Sequence, residues 1–211
     1  SPLSGPADLG TRALDGLSGS NTNDQLRQLD RKGIPASEAA ALNRLGELQQ
    51  MDWAKLTKAT GTDAVAVFAR PAGYRGDDSA WSNDGHVDAY RHALWNARMT
   101  KQFGAEWTRE YATAHERLPE NPGPREAMDL YNNEVGRKIA TENPGASDAD
   151  LQRLVRQAVD RGDLVVIDRS NRLAWSDRVK LGEHGNVPPG TAALPGNANH
   201  NAAPAQDRTG S

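Results

Sequence analysis

No cysteine occurs in the chain. That absence excludes disulfides, thiolate zinc sites and a cysteine nucleophile, and it leaves the protein indifferent to the redox state of its compartment. Long apolar runs are also missing. Nothing approaches the ~18 consecutive apolar residues that a membrane-spanning helix needs, and no signal-peptide pattern is legible. Charge of one sign is not in excess either: the formal net charge is −3. Bulk attraction to nucleic acid or to an anionic membrane is therefore not expected, and nucleic acid is set aside as a partner.

Hydrophobic residues make up only 36% of the sequence, low for a compact domain throughout. The shortage sits at the two ends. Residues 1–22 are rich in Gly, Ser and Pro, and residues 183–211 in Pro, Gly, Asn and Ala. Both compositions read as flexible linker. The expected organisation is an N-terminal linker over 1–22, one folded domain over 23–182, and a C-terminal tail over 183–211.

The middle reads as mainly α, a compact helical bundle with a small β-hairpin at its C-terminal end. Ser37 is placed to cap a helix running to Met51, with Ala41, Leu42, Leu45 and Leu48 as its apolar stripe. A second helix is expected over 62–70, followed by a loop over 70–85. Further helices are predicted over 87–103, ended by Gly104, over 105–117, and from Pro124 to about Glu142. Ser147 and Asp150 form the pattern of a capping box that opens one more helix. The runs DLVVID and RLAWS flank a turn and read as a hairpin.

Polar residues gather on three of these helices. Asp88 and His92 are four apart, so their side chains can touch, and Trp95 and Asn96 share their face. His115 and Glu116 end the next helix. The following helix carries MDLYNNEVGRKI, in which Met128, Tyr131, Val135 and Ile139 form an apolar stripe. Asp129, Asn133 and Arg137 occupy another face. Asn is a poor helix former, so an adjacent Asn132–Asn133 pair needs a reason. Consecutive helices with short connections pack side by side. The expectation is a shared cleft holding His92, His115, Glu116, Asp129 and Asn133, with Asp88, Arg91 and Arg137 at its edge. Asn133 should face that cleft, and Asn132 should brace a neighbouring loop, with 83–86 as the candidate. The plainer account is a structural polar network that clamps three helices.

Two chemistries suit such a set. In one, His92, His115 and an acid (Asp129 or Glu116) hold a divalent metal, zinc first, with water on the open position. In the other, Glu116 or Asp129 is a general acid and His92 or His115 a base, without metal. Asp88, Arg91, Trp95, Asn96, Asn133 and Arg137 would bind substrate. No organic cofactor is indicated.

The run NDGHVDAYRHALWNARMT, then AHE at 114–116, then MDLYNNEVGR, then GDLVVID with LAWSD, resembles a widespread bacterial domain family of unknown function. The resemblance covers residues 83–177. It implies that Asp88, Arg91, His92, Trp95, Asn96, His115, Glu116, Asp129, Asn132, Asn133, Gly136 and Arg137 belong to the family pattern, without saying what they do. His86 departs from that pattern, which argues against it as a shared ligand. The resemblance also implies secreted, lipoprotein and toxin-like contexts. Together with the linker-like ends, it leads to an expectation of a hydrolytic bacterial effector secreted or delivered to the periplasm of a target cell. Its substrate would be an envelope polymer or lipid, peptidoglycan before phospholipid, and a cognate immunity protein would be its partner. The alternative is a non-catalytic binding or adaptor module.

Overall fold

The computed structural model describes residues 36–116 and 123–188. The expectations for residues 1–35 and 189–211 lie outside that range. Seven helices and one hairpin follow one another among the described residues: α1 (Ala36–Asn43), α2 (Glu47–Val67), α3 (Asp78–Ser82), α4 (His86–Phe103), α5 (Ala105–Glu116), α6 (Gly123–Glu142), α7 (Asp148–Arg161), β1 (Val165–Ile167) and β2 (Leu173–Trp175). The mainly helical bundle with a small C-terminal hairpin is thus the fold.

The centre of the bundle is α4, which is buried from His86 to Met99 on every side. It packs against α2, α5, α6, α7 and β1. Two apolar clusters flank it. One joins Tyr90, Leu94, Met128, Leu151 and Val155 to the hairpin. The other joins Trp95 and Met99 to Leu42, Trp53 and Tyr111. A stretch buried all round has no solvent face for polar side chains, so each one between His86 and Met99 must find its partner inside.

Local signals account for most boundaries. Gly104 ends α4 at φ 89°, a conformation open to glycine. The Ser147 hydroxyl accepts from the Asp150 N–H, and the Asp150 carboxylate accepts from the Ser147 N–H, closing the expected capping box. In the hairpin Val166 lies opposite Ala174, and the strands are antiparallel.

Four expectations are corrected. The helix drawn from Ser37 to Met51 is two helices. Gly46 breaks it, and the Gln50 side chain donates to the Leu42 and Leu45 carbonyls beside the break. As a result Leu48 is 78% exposed, and Trp53, Ala54 and Thr57 face inward instead. The helix placed at 62–70 is the end of α2, which starts fifteen residues earlier, at Glu47. The loop at 70–85 contains α3, capped by Asp77, whose side chain accepts from the Ala80 N–H. Finally, residues 183–188 are packed on the domain rather than part of a tail. The Gly185 N–H donates to the Ile167 carbonyl, the Val187 N–H donates to Asp84, and Val187 is buried.

The crossing of α4 and α6 is unusually close. A Cβ at Gly136 would lie 2.1 Å from the Ala93 carbonyl oxygen. Glycine there lets the two backbones touch.

Candidate functional site

His92 stands at the centre of a group of buried polar side chains, itself 2% exposed. One turn earlier on α4 is Asp88, whose Oδ1 lies 3.4 Å from His92 Nε2. From α6, Asp129 Oδ1 approaches the same nitrogen, also at 3.4 Å. The other ring nitrogen faces elsewhere. Nδ1 is 3.1 Å from Asn133 Oδ1 and 3.3 Å from Glu116 Oε1. Glu116, the last described residue of α5, brings its carboxylate to the imidazole.

A second ring of contacts fixes these groups. Asn133 donates to Glu116 at 3.2 Å, and its oxygen accepts from Asn96 at 2.6 Å. Arg137 donates to Asn96 Oδ1 at 2.9 Å. Asp88 pairs with Arg91 and accepts from the Asp84 N–H at 2.7 Å. No hydrogen bond reaches Asp129 Oδ1 among the described residues, although the atom is buried.

The electrostatics follow from burial and proximity. Burial alone would lower the basicity of His92, but Asp129, Glu116 and Asp88 reverse this and hold it well above the usual histidine range. Asp129 is raised well above the usual carboxylate range by burial, with Asp88 and Glu116 adding to the effect and His92 opposing it. Glu116 stays low because His92 and His115 outweigh its burial. Asp88 is also held low, since Arg91 and His92 overcome its burial.

The expected convergence is present for His92, Glu116, Asp129, Asn133 and Asp88. It is not a cleft: these side chains are sealed in the bundle. A surface cavity of about 540 Å³ lies along α6 and α7, lined by Tyr131, Val135, Ile139 and Arg161 among others, and none of the His92 group reaches it. His115 turns away from His92. Its Nδ1 pairs with Glu38 of α1 at 2.9 Å, and its ring meets Trp95 edge-on at 5.4 Å. The residues able to hold a metal are Asp88, His92 and Asp129, whose ligand atoms lie within 4.8 Å of one another. Asp88 thus occupies the place given to His115 in the expected set. Trp95 is fully buried and donates to Thr57 at 3.0 Å. His86 donates to or accepts from nothing in the group; its Nε2 meets the Ser176 carbonyl at 2.8 Å.

Asn132 braces β1 rather than residues 83–86. Its amide nitrogen donates to the Val165 carbonyl and its oxygen accepts from the Val165 N–H. The loop at 83–86 reaches the same strand on its own, since the Asp84 carbonyl accepts from the Ile167 N–H.

Three residues of the site's support were not foreseen. Asp84, at φ 67°, is fully buried and receives two bonds from Arg125, at 2.7 and 2.9 Å, and one from the Val187 N–H. Asp is one of the few residues that tolerates this left-handed conformation, so Asp-Gly at 84–85 was the available signal. Arg125 and Glu38 carry no local signal, because their partners lie 41 and 77 positions away.

These features define a class, a helical bundle closed around a buried imidazole–carboxylate group. Residues 48–163 match the family described as a domain of unknown function (DUF6973), and the chain belongs to that family. No curated protein and no solved structure matches the chain.

Proposed function

We propose that this domain is a hydrolase of the bacterial cell envelope, and that a divalent cation, zinc first, is held by Asp88, His92 and Asp129. One observation carries the metal reading. His92 Nε2 stands 3.4 Å from a carboxylate oxygen on each side, too long for strong charged hydrogen bonds. Ligands at ~2.1 Å around a tetrahedral cation stand ~3.4 Å apart. With the Nδ1 proton given to Glu116 and Asn133, the Nε2 lone pair faces the two aspartates. A carboxylate on the far nitrogen of a ligating histidine is the usual means of fixing its tautomer. A bound cation would lower the pKa of its water toward ~7 and supply hydroxide for hydrolysis.

The envelope part of the reading is supported by the linker-like composition of both ends and by the toxin-like contexts of the family that the motifs resemble. Peptidoglycan is the first substrate to test and phospholipid the second, since the chain has no Gly-x-Ser-x-Gly elbow. An immunity protein would then be its natural partner.

The burial of the whole group favours a second reading, a non-catalytic binding module. There an imidazolium between three carboxylates would only clamp α4, α5 and α6. The test expresses the wild type, Asp129→Asn and His115→Ala with and without a periplasmic signal. The hydrolase reading expects one cation per purified chain, lysis with new cell-wall fragments from the periplasm only, and loss of both in Asp129→Asn. His115→Ala should keep its cation. A folded, metal-free protein that is harmless in both compartments would establish the binding module instead.

A further inference from the structure

Five arginines among the described residues are buried or half-buried, and four have a carboxylate partner. Arg91 pairs with Asp88, Arg98 with Asp63 and Asp148, Arg125 with Asp84, and Arg156 with Asp160. Arg137 is the exception. The one hydrogen bond that its guanidinium makes among the described residues goes to Asn96 Oδ1, a neutral acceptor. A guanidinium carries five N–H donors in a fixed fork, so most of its capacity is unspent. The surroundings do not compensate. Burial disfavours the charged form and brings its pKa down to about 10, Glu134 opposes this from a distance, and Arg109 on α5 adds a like charge.

A half-buried cation without a counter-ion costs stability, and replacing one at no loss of function is an easy stabilising change. Arg137 is also connected to the site. Its guanidinium holds Asn96, Asn96 holds Asn133, and Asn133 meets His92 Nδ1 and Glu116. The other residues expected to bind substrate are spent or sealed: Asp88 on Arg91, Trp95 on Thr57, Asn96 and Asn133 on each other.

We propose that Arg137 is an oxyanion-binding subsite that takes a carboxylate or phosphoryl group of the substrate. A planar fork recognises both groups through paired N–H donors. The assignment rests on the hydrolase reading only for what the oxyanion belongs to. Peptide-stem carboxylates and lipid phosphates share this chemistry.

The experiment measures equilibrium binding, which needs no turnover. Inorganic phosphate and acetate are titrated separately into the zinc-loaded and the chelator-treated full chain, for the wild type, Arg137→Gln and Arg137→Lys. Binding is followed by calorimetry and by the Arg137 Nε–H resonance. The expected result is a saturable shift of that resonance in both preparations. Arg137→Gln should bind about tenfold more weakly or worse, a loss of one charge-assisted fork, and Arg137→Lys should fall between. The tighter of the two anions identifies the substrate group. In anion-free buffer Arg137→Gln should melt at or above the wild-type temperature. Equal binding by Arg137→Gln, an unmoved Arg137 resonance, or a large drop in its melting temperature would each overturn the subsite. Anion binding without hydrolysis would leave the subsite standing and remove the hydrolase reading. Hydrolysis with an unchanged KM in Arg137→Gln would do the reverse.

Discussion

Asn132 and Val165 are joined by two hydrogen bonds, one in each direction, both at 2.9 Å. The side-chain amide thus does for β1 what a neighbouring strand would do. With Asp84 and Gly185 bonded at Ile167, it covers the outer edge of the hairpin. Replacing Asn132 by Leu leaves a buried N–H and a buried carbonyl without partners, at about 1–3 kcal/mol each. Asn132→Leu should therefore lower stability to denaturant by several kcal/mol. Cation content should fall only as far as the fold does. An Asn132→Leu protein of wild-type stability would show that the pairing carries no weight.

Asn133, one residue on, should behave differently. Its amide touches His92, Asn96 and Glu116. Asn133→Leu is expected to abolish activity while weakening the fold by about 1–3 kcal/mol. Full activity in that variant would remove the amide from the mechanism.

Glu116 is the carboxylate behind His92. In the metal reading, Glu116→Gln keeps the shape but weakens the hold on the ring, and cation affinity should fall about 10–100-fold. Competition with a zinc indicator measures this directly. An unchanged affinity would mean that Glu116 serves α5 rather than the centre.

Gly136→Ala should be among the most damaging small substitutions. The added Cβ would meet the Ala93 carbonyl oxygen at 2.1 Å, and backbone cannot swing aside as a side-chain tip can. A cost at the top of the ~1–3 kcal/mol overpacking range or beyond is expected. Because α4 and α6 hold the centre between them, the surviving folded protein should also bind cation more weakly.

Acid should act at the clamp on α2, α4 and α7 as well as at the centre. Arg98 reaches Asp63, Asp148 and Thr60. Arg98 holds the Asp148 carboxyl below its ordinary value, against its partial burial, with help from Gln152. A lowered folded-state pKa means that the contribution is complete above the unfolded value of ~3.9 and fades as pH falls through and below it. The stability difference between wild type and Asp148→Asn should be constant above about pH 5 and shrink below about pH 4. A difference that grows on acidification would reverse the assignment.

How much of this was readable beforehand depends on the range of each signal. The Asp88–His92 pair and the inward face of Asn133 follow from helical spacing, which is local. The end of α5 was ambiguous in kind. Residues 115 and 116 differ by ~100° around a helix, so spacing could not decide which of them meets His92. The structure gives that place to Glu116 and turns His115 to Glu38, whose helix lies 77 positions away in the chain. Leu48 fits the apolar period yet faces water, because Gly46 resets the phase of the helix. The strap at 183–188 has a linker's composition and packs anyway. Its hold comes from backbone donors at Gly185 and Val187, which composition does not register.

The bond from the Val187 N–H to the Asp84 carboxylate spans 103 positions. Synthesis runs from the N-terminus at about 5–20 residues per second. Asp84 leaves the ribosome several seconds before its last partner is made. Until then the buried loop ahead of Asp88 has only Arg125, itself made 41 positions after Asp84, to answer its charge. A chain cut short before residue 187 would keep every residue of the His92 group and lack the closing contact of the loop that anchors it. The contact that closes the loop ahead of Asp88 is therefore a late product of translation, made only when nearly the whole domain exists.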